Sequence, residues 1–298
     1  MASPLSHRRR RPAQSPRALS VSVLVGAALL AIAPVTSLTA AVTEAVRGPE
    51  ATIVPPARDL PPIAAAAYVV VDGDTGEPLA SFNADQPRPV ASLTKLMTAR
   101  LVLDAGHPEH FATVPPLQIA GDESRAGLEP GDQVSRGELL QAMLVASAGD
   151  AARTLAVDVA GDERRFVGMM NAEAAAVGLD ATRYANPDGL DDPAQHSSAA
   201  DVARLARDLM QDPAFRRIVA AESTRLDGSV VRTTNDLLGS YRGADGIKTG
   251  HTDEAGWCIA ASATRHGRSV VVVVLGAPTE QARDAAARAL LDYGFSVA

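Results

Sequence analysis

Cysteine is almost absent from this 298-residue chain. Cys258 stands alone, which excludes an intrachain disulfide and any cysteine-cluster zinc or iron–sulfur site. Aromatic side chains are scarce at 3%, with Trp257 the single indole, so a core has to be built mainly from Ala, Leu and Val. There is no GxxxxGK(S/T) or GxGxxG phosphate loop, which leaves nucleotide chemistry without support. There is no internal repeat of about 20 to 50 residues either, which excludes a solenoid. Lysine is the most telling scarcity: of 28 basic residues only Lys95 and Lys248 are lysine.

What is present is globular in character. At 46% hydrophobic and 21% charged, the chain cannot be disordered throughout. Charge is unevenly spread. The first 43 residues carry five arginines and no acid, while the remaining 255 hold 23 basic and 35 acidic side chains. So acidic a body, without a basic and aromatic stripe, excludes nucleic acid as a partner. His107 and His110 are the only histidines close in sequence; they sit in a Pro-containing loop and read as surface residues, so no metal is expected.

The N-terminus reads as an address. Residues 1–17 form a basic n-region that stays cytoplasmic, and 18–43 form an uncharged, largely apolar run suited to a signal peptide or an N-terminal membrane anchor. Small residues at Thr39 to Ala41 would permit cleavage, and the alternatives remain open. Residues 44–62 are polar and Pro-rich, as a linker is, so the folded domain is expected over 63–298. The body then lies outside the cytoplasm, at the membrane face or in the cell wall.

Within the body, Ala66 to Val71 and Pro78 to Phe82 flank a turn and predict a hairpin. Near the other end, Gly246 to Gly250, Trp257 to Ala263 and Ser269 to Leu275 predict a three-strand meander. Helical patterning covers Ser92 to Leu103, Arg136 to Val145, Asp150 to Val159, Arg164 to Val177 and Ser198 to Leu209, with a closing helix over Thr279 to Tyr293. Strands at both ends with helices between them predict an α+β fold: one antiparallel sheet assembled from distant segments and covered by helices.

The two lysines carry the chemistry. A surface cation can be arginine, but a group that must release a proton near neutral pH cannot, because guanidinium holds its proton up to a pKa above about 12. Lys95 follows Ser92 by three residues, so on a helix the amine and the hydroxyl share a face. A neutral lysine there can take the proton of a serine nucleophile. Lys248-Thr249-Gly250 ends a candidate strand, where a glycine leaves the edge open to a substrate backbone. Ser147-Ala148-Gly149 sits in a break between helices, where its hydroxyl could link Lys95 to a leaving group.

These elements, in this order, resemble the penicillin-binding proteins, and more closely the low-molecular-mass D-alanyl-D-alanine carboxypeptidases. The likeness runs from about Ile63 to Phe295. It includes Ala91 to Ala99, Asn186-Pro187-Asp188-Gly189-Leu190, His196 to Ala199, Asp245 to Asp253 and Leu290 to Phe295. The resemblance implies a β-lactamase/transpeptidase-like fold, with a central five-stranded antiparallel sheet flanked by helices and a mostly helical subdomain inserted. It implies a Ser92 acyl-enzyme formed on the D-Ala-D-Ala end of peptidoglycan stem peptides, blocked by penicillins and other β-lactam antibiotics, with no cofactor. Lys95 would be the base, Ser147 would pass the proton to the departing D-alanine, and the N–H groups of Ser92 and His251 would hold the oxyanion. Lys248, Thr249 and Arg283 would hold the terminal carboxylate beside Gly250.

Two departures stand out. Gly149 occupies the place of the asparagine in the family's Ser-x-Asn motif, which implies a slow enzyme or an inactive binding homologue as the alternative. A class A β-lactamase is a further rival, but no Glu-x-x-x-Asn follows the Ser147 motif. The chain also stops at Ala298, so the C-terminal β-domain and anchor of some relatives are not expected, and any membrane attachment would be N-terminal.

Overall fold

Five consecutive valines, Val270 to Val274, set the architecture. Branching at Cβ suits them to an extended backbone, and they lie in strand β9 (Arg268–Ala277). Side chains alternate across a strand: Val271, Val273 and Leu275 enter one hydrophobic cluster, and Val270, Val272 and Val274 enter another. Both faces of the sheet are therefore buried, which is why this run shows no polar alternation.

The computed structural model describes residues 60–117, 123–226 and 229–297. The basic segment, the apolar run and most of the proposed linker fall outside them. Among the described residues no helix is long and apolar enough to cross a membrane.

Around β9 the sheet is completed by β1 (Ala67–Asp72), β2 (Pro78–Phe82), β7 (Ala244–Thr252) and β8 (Gly256–Arg265), in the antiparallel order β2-β1-β9-β8-β7. This is the five-stranded sheet expected of the α+β fold, with hairpin and meander joined through β1 and β9. Strand β7 is an edge, which matters for the site. One face is covered by α7 (Glu280–Val297) through Ala286, Ala287, Leu290 and Leu291.

The other face is covered by the helical insertion between β2 and β7. It comprises α1 (Lys95–Ala105), α2 (Arg136–Val145), α3 (Gly149–Ala160), α4 (Glu163–Ala176), α5 (Ala199–Leu209) and α6 (Pro213–Val219). Local chemistry fixes their starts. Ser135 and Glu138 form a reciprocal capping box at α2, and Ser198 caps α5 through the N–H of Asp201.

Some details depart from the sequence expectation. The helix expected from Ser92 begins instead as a 3₁₀ turn, Ala91–Thr94, followed by α1. Helix α6 and the ribbons β3–β4 (Phe111–Thr113, Gln133–Ser135) and β5–β6 (Ser223–Leu226, Ser229–Arg232) were not anticipated. Each is too short to show a hydrophobic period, although Asp212 before Pro213 is a capping signal at α6.

Candidate active site

The 3₁₀ turn carrying Ser92 is held against edge strand β7. Its neighbour Ala91 has φ 49°, in the left-handed region that a Cβ disfavours, so the turn is strained just before the hydroxyl. Gly250 on β7 is where the two segments meet: a Cβ there would lie 2.8 Å from Ser92 N and 3.1 Å from Ala91 Cβ. Only glycine permits that approach.

Lys95, one helical turn on, is buried, with Nζ 2.9 Å from Ser92 Oγ. The same amine donates to the main-chain oxygen of Asp188. Asn186-Pro187-Asp188-Gly189-Leu190 thus serves as a scaffold: Pro187 O also accepts from Thr98 Oγ1 at 2.6 Å, and Asn186 braces the loop by accepting from Gly189 N at 2.7 Å. Burial pushes the Lys95 pKa down and Arg153 adds to this, while Asp188 and Glu123 oppose it; the net direction is downward.

Lys248 enters from β7. It is 1% exposed, and its Nζ donates to Ser147 Oγ at 2.9 Å and to Thr249 O at 2.7 Å. Burial, then the nearby charges of Lys95 and Arg283, drive its pKa well below the ordinary lysine value. Ser147 sits between α2 and α3 with φ 60°, a second strained residue at the site. The sequence had linked its hydroxyl to Lys95; its partner in the structure is Lys248, which β7 carries. Since that hydroxyl accepts from Lys248, its own proton remains available to a third group.

The remaining expected residues divide. Thr249 is buried, with Oγ1 2.6 Å from Thr234 Oγ1. His251 lines the cleft, its ring 4.2 Å from that of Trp257. Arg283, like Lys248 and Thr249, is buried behind the residues that line the cleft. It is 2% exposed, its Nε donates to Asp284 Oδ1 at 2.8 Å, a terminal nitrogen pairs with Asp284 and Glu280, and it lies over Trp257. Nε and one terminal nitrogen are engaged on its own helix, and its charge acts on Lys248. His107 and His110 do not converge: one meets Glu109 and the other Asp158. Cys258 is buried in the core.

Ser92, Lys95, Ser147 and His251 open onto a cleft of about 480 Å³, whose wall also includes Glu123, Ser124, Asp188 and Asp191. Three contributors were not legible in the sequence as site residues. Asp188 supplies the lysine acceptor. Arg153 on α3 bonds Asp188 Oδ2 from Nε at 2.5 Å. Glu123 reaches in from the loop before β4; burial and then the facing Asp188 push its carboxyl pKa up to about 7.

Residues 54–279 match the sequence pattern of the D-alanyl-D-alanine carboxypeptidase family. Among curated relatives, D-alanyl-D-alanine carboxypeptidase DacD of Escherichia coli is 37% identical over 248 residues, covering 78% of this chain and 64% of that one. The chain spans just under two thirds of the length of the first such relatives it matches. Among solved structures, penicillin binding protein 6B from Escherichia coli superposes with TM-score 0.76 at 36% identity, over 82% of this chain and 80% of that one. The Streptomyces K15 DD-transpeptidase superposes with TM-score 0.75 at 32% identity, over 80% and 99%. Pattern, identity and superposition agree with the paired lysines and the edge-strand cleft: the chain belongs to the D-alanyl-D-alanine carboxypeptidase family.

Proposed function

We propose that the protein is a serine-type D-Ala-D-Ala carboxypeptidase acting on peptidoglycan stem peptides outside the cytoplasm. The observation that carries this reading is the 2.9 Å contact between Lys95 Nζ and Ser92 Oγ inside a buried site. A lysine whose pKa is depressed can hold a lone pair there and accept the serine proton.

Ser92 Oγ attacks the carbonyl of the penultimate D-alanine as its proton passes to Lys95. The N–H groups of Ser92 and His251, brought together by the Gly250 approach, stabilise the oxyanion. The C–N bond then breaks, and the leaving amine takes the Ser147 proton, which Lys248 restores. Lys248 and the Thr249 hydroxyl bind the terminal carboxylate, whose negative charge raises the Lys248 pKa so that the amine takes up a proton from solvent on binding, the one it later passes to Ser147. Arg283, assigned to the same carboxylate by the resemblance, adds positive charge near Lys248. Water hydrolyses the Ser92 ester, and no cofactor is required. The strained four-membered ring of a β-lactam acylates the same hydroxyl.

Release of D-alanine from a Lys-D-Ala-D-Ala peptide, with Ser92→Ala as control, tests the reading. Loss of release in the variant supports it, and equal release by both proteins overturns it. Gly149 favours a second reading, a penicillin-binding homologue without turnover, which would show acylation by penicillin and no D-alanine release from the wild type. Intact mass after penicillin exposure identifies the acylated chain and, on the exported protein, the N-terminus. Persistence of the adduct separates a peptidase from a β-lactamase, which would shed it within about a second.

A further inference from the structure

Gly149 is not followed by empty space. A Cβ built at this position would lie 1.6 Å from Glu123 Oε1 and 2.4 Å from its Cδ, so the carboxyl of Glu123 stands where a side chain at 149 would begin. The loop that brings it is tied down at this point. Gly149 N donates to Ser124 O at 2.8 Å, and the buried Asp150 carboxylate accepts from the N–H groups of Ala126, Gly127 and Leu128 at 2.9 to 3.1 Å. The start of α3 thus gathers the whole 124–128 backbone and aims Glu123 inward.

We propose that Glu123 replaces the side chain missing at position 149, filling its space from a neighbouring loop and controlling the charge on Lys95, as a positioning residue for the base. The inference rests on the carboxypeptidase reading for the role of Lys95, though not for the geometry.

The charge argument begins with Asp188. Among the described residues no hydrogen-bond partner reaches either buried carboxyl oxygen of Glu123, and the Asp188 carboxyl lines the same cleft. A buried carboxyl facing a second carboxyl is favoured in its neutral form. Asp188 has its own partners, Arg153 on one oxygen and the Leu190 N–H on the other, whereas Glu123 has none of this kind. Burial and the facing Asp188 thus hold the Glu123 carboxyl well above the usual carboxylate range, at about 7. The charged groups around it are Asp188 from the 186–190 loop, Lys95 from α1, and Arg153 and Asp150 from α3, with Glu163 of α4 paired to Arg153.

Lys95 and Glu123 compete for one proton. Ionised Glu123 raises the lysine pKa and holds an ammonium that cannot act as base, whereas neutral Glu123 leaves the amine free. Glutamate here couples the two titrations, which an asparagine at 149 could not do.

Two measurements test this. The first is a double-mutant cycle in thermal stability on the full chain, which needs no activity. Gly149→Asn should destabilise the wild type by collision and be tolerated in a Glu123→Ala background; equal destabilisation in both backgrounds overturns the replacement. The second is the pH dependence of Ser92 acylation by a labelled penicillin. Glu123→Gln should move the ascending limb to lower pH, because the competing anion is gone; a limb that superposes on wild type overturns the control of Lys95. A wild type that is acylated yet releases no D-alanine from a Lys-D-Ala-D-Ala peptide fails the carboxypeptidase reading alone and leaves both tests of Glu123 standing.

Discussion

Lys248 Nζ and Ser147 Oγ lie 2.9 Å apart although 101 residues separate them in the chain. The lysine comes from the sheet edge and the serine from the break between α2 and α3, so this one hydrogen bond joins the two halves of the fold across the cleft. Ser147→Ala removes it and the proton relay together. Turnover should fall by about 10²- to 10⁴-fold while KM changes little, because the carboxylate-binding cation stays in place. Steady-state D-alanine release checks this; a raised KM with unchanged kcat would assign Ser147 to binding instead.

Lys95→Arg keeps a cation next to Ser92 but removes the ability to surrender a proton. Acylation by penicillin should fall by at least about 10³-fold. The rate is read by intact mass against time, with a melting curve to show that the variant is folded. Acylation within tenfold of wild type would mean that the charge of residue 95, not its lone pair, is what matters.

The acylation rate should rise with pH along a limb that lies below the ordinary lysine value of about 10.4, because burial depresses the Lys95 pKa. Stopped-flow acylation across pH measures it. A limb in the ordinary lysine range would show that the amine is solvated during reaction.

Gly250→Ala puts a carbon 2.8 Å from Ser92 N. The strand and the nucleophile turn must separate, which displaces the oxyanion donors. A shift of about 1 Å is expected to lower kcat by about 10²-fold, with the fold intact by circular dichroism. Unaltered kcat would show that the edge can yield without loss.

Glu123 also bears on stability. Its carboxyl is raised to about 7 in the folded protein from an ordinary 4.5, so between those values the folded state holds a proton that the unfolded chain has released. Stability should therefore fall as pH rises through this window, and Glu123→Gln should flatten the slope. Urea unfolding at a series of pH values measures it, and parallel slopes for the two proteins would contradict it.

The sequence was informative where chemistry repeats at short range or where a residue type is rare. Ser92 and Lys95 could be paired because three residues on a helical turn fix their separation, and the 3₁₀ start alters that little. Lys248 stood out because lysine is scarce, yet its partner could not be read: the hydroxyl it meets lies 101 positions earlier in the chain. The Asn186 to Leu190 segment was recognisable as a pattern, but its role as a lysine acceptor emerges only with main-chain positions. Arg283 shows what spacing alone leaves out. Its spacing from Tyr293 matched an expected carboxylate ligand, and the structure adds two partners on the same helix, Asp284 and Glu280, which spacing did not suggest. Gly149 read as a loss because the group that fills its place lies 26 positions earlier, in a loop without periodicity.

The contact between the glycine of the edge strand and the backbone of the nucleophile turn has a final corollary. Neither the sheet nor the helical insertion holds a complete set of reacting groups, so a chain in which one half has collapsed and the other has not is chemically silent. A covalent β-lactam label would then count only fully assembled molecules, and its time course after dilution from denaturant would follow the closing of the two halves onto each other.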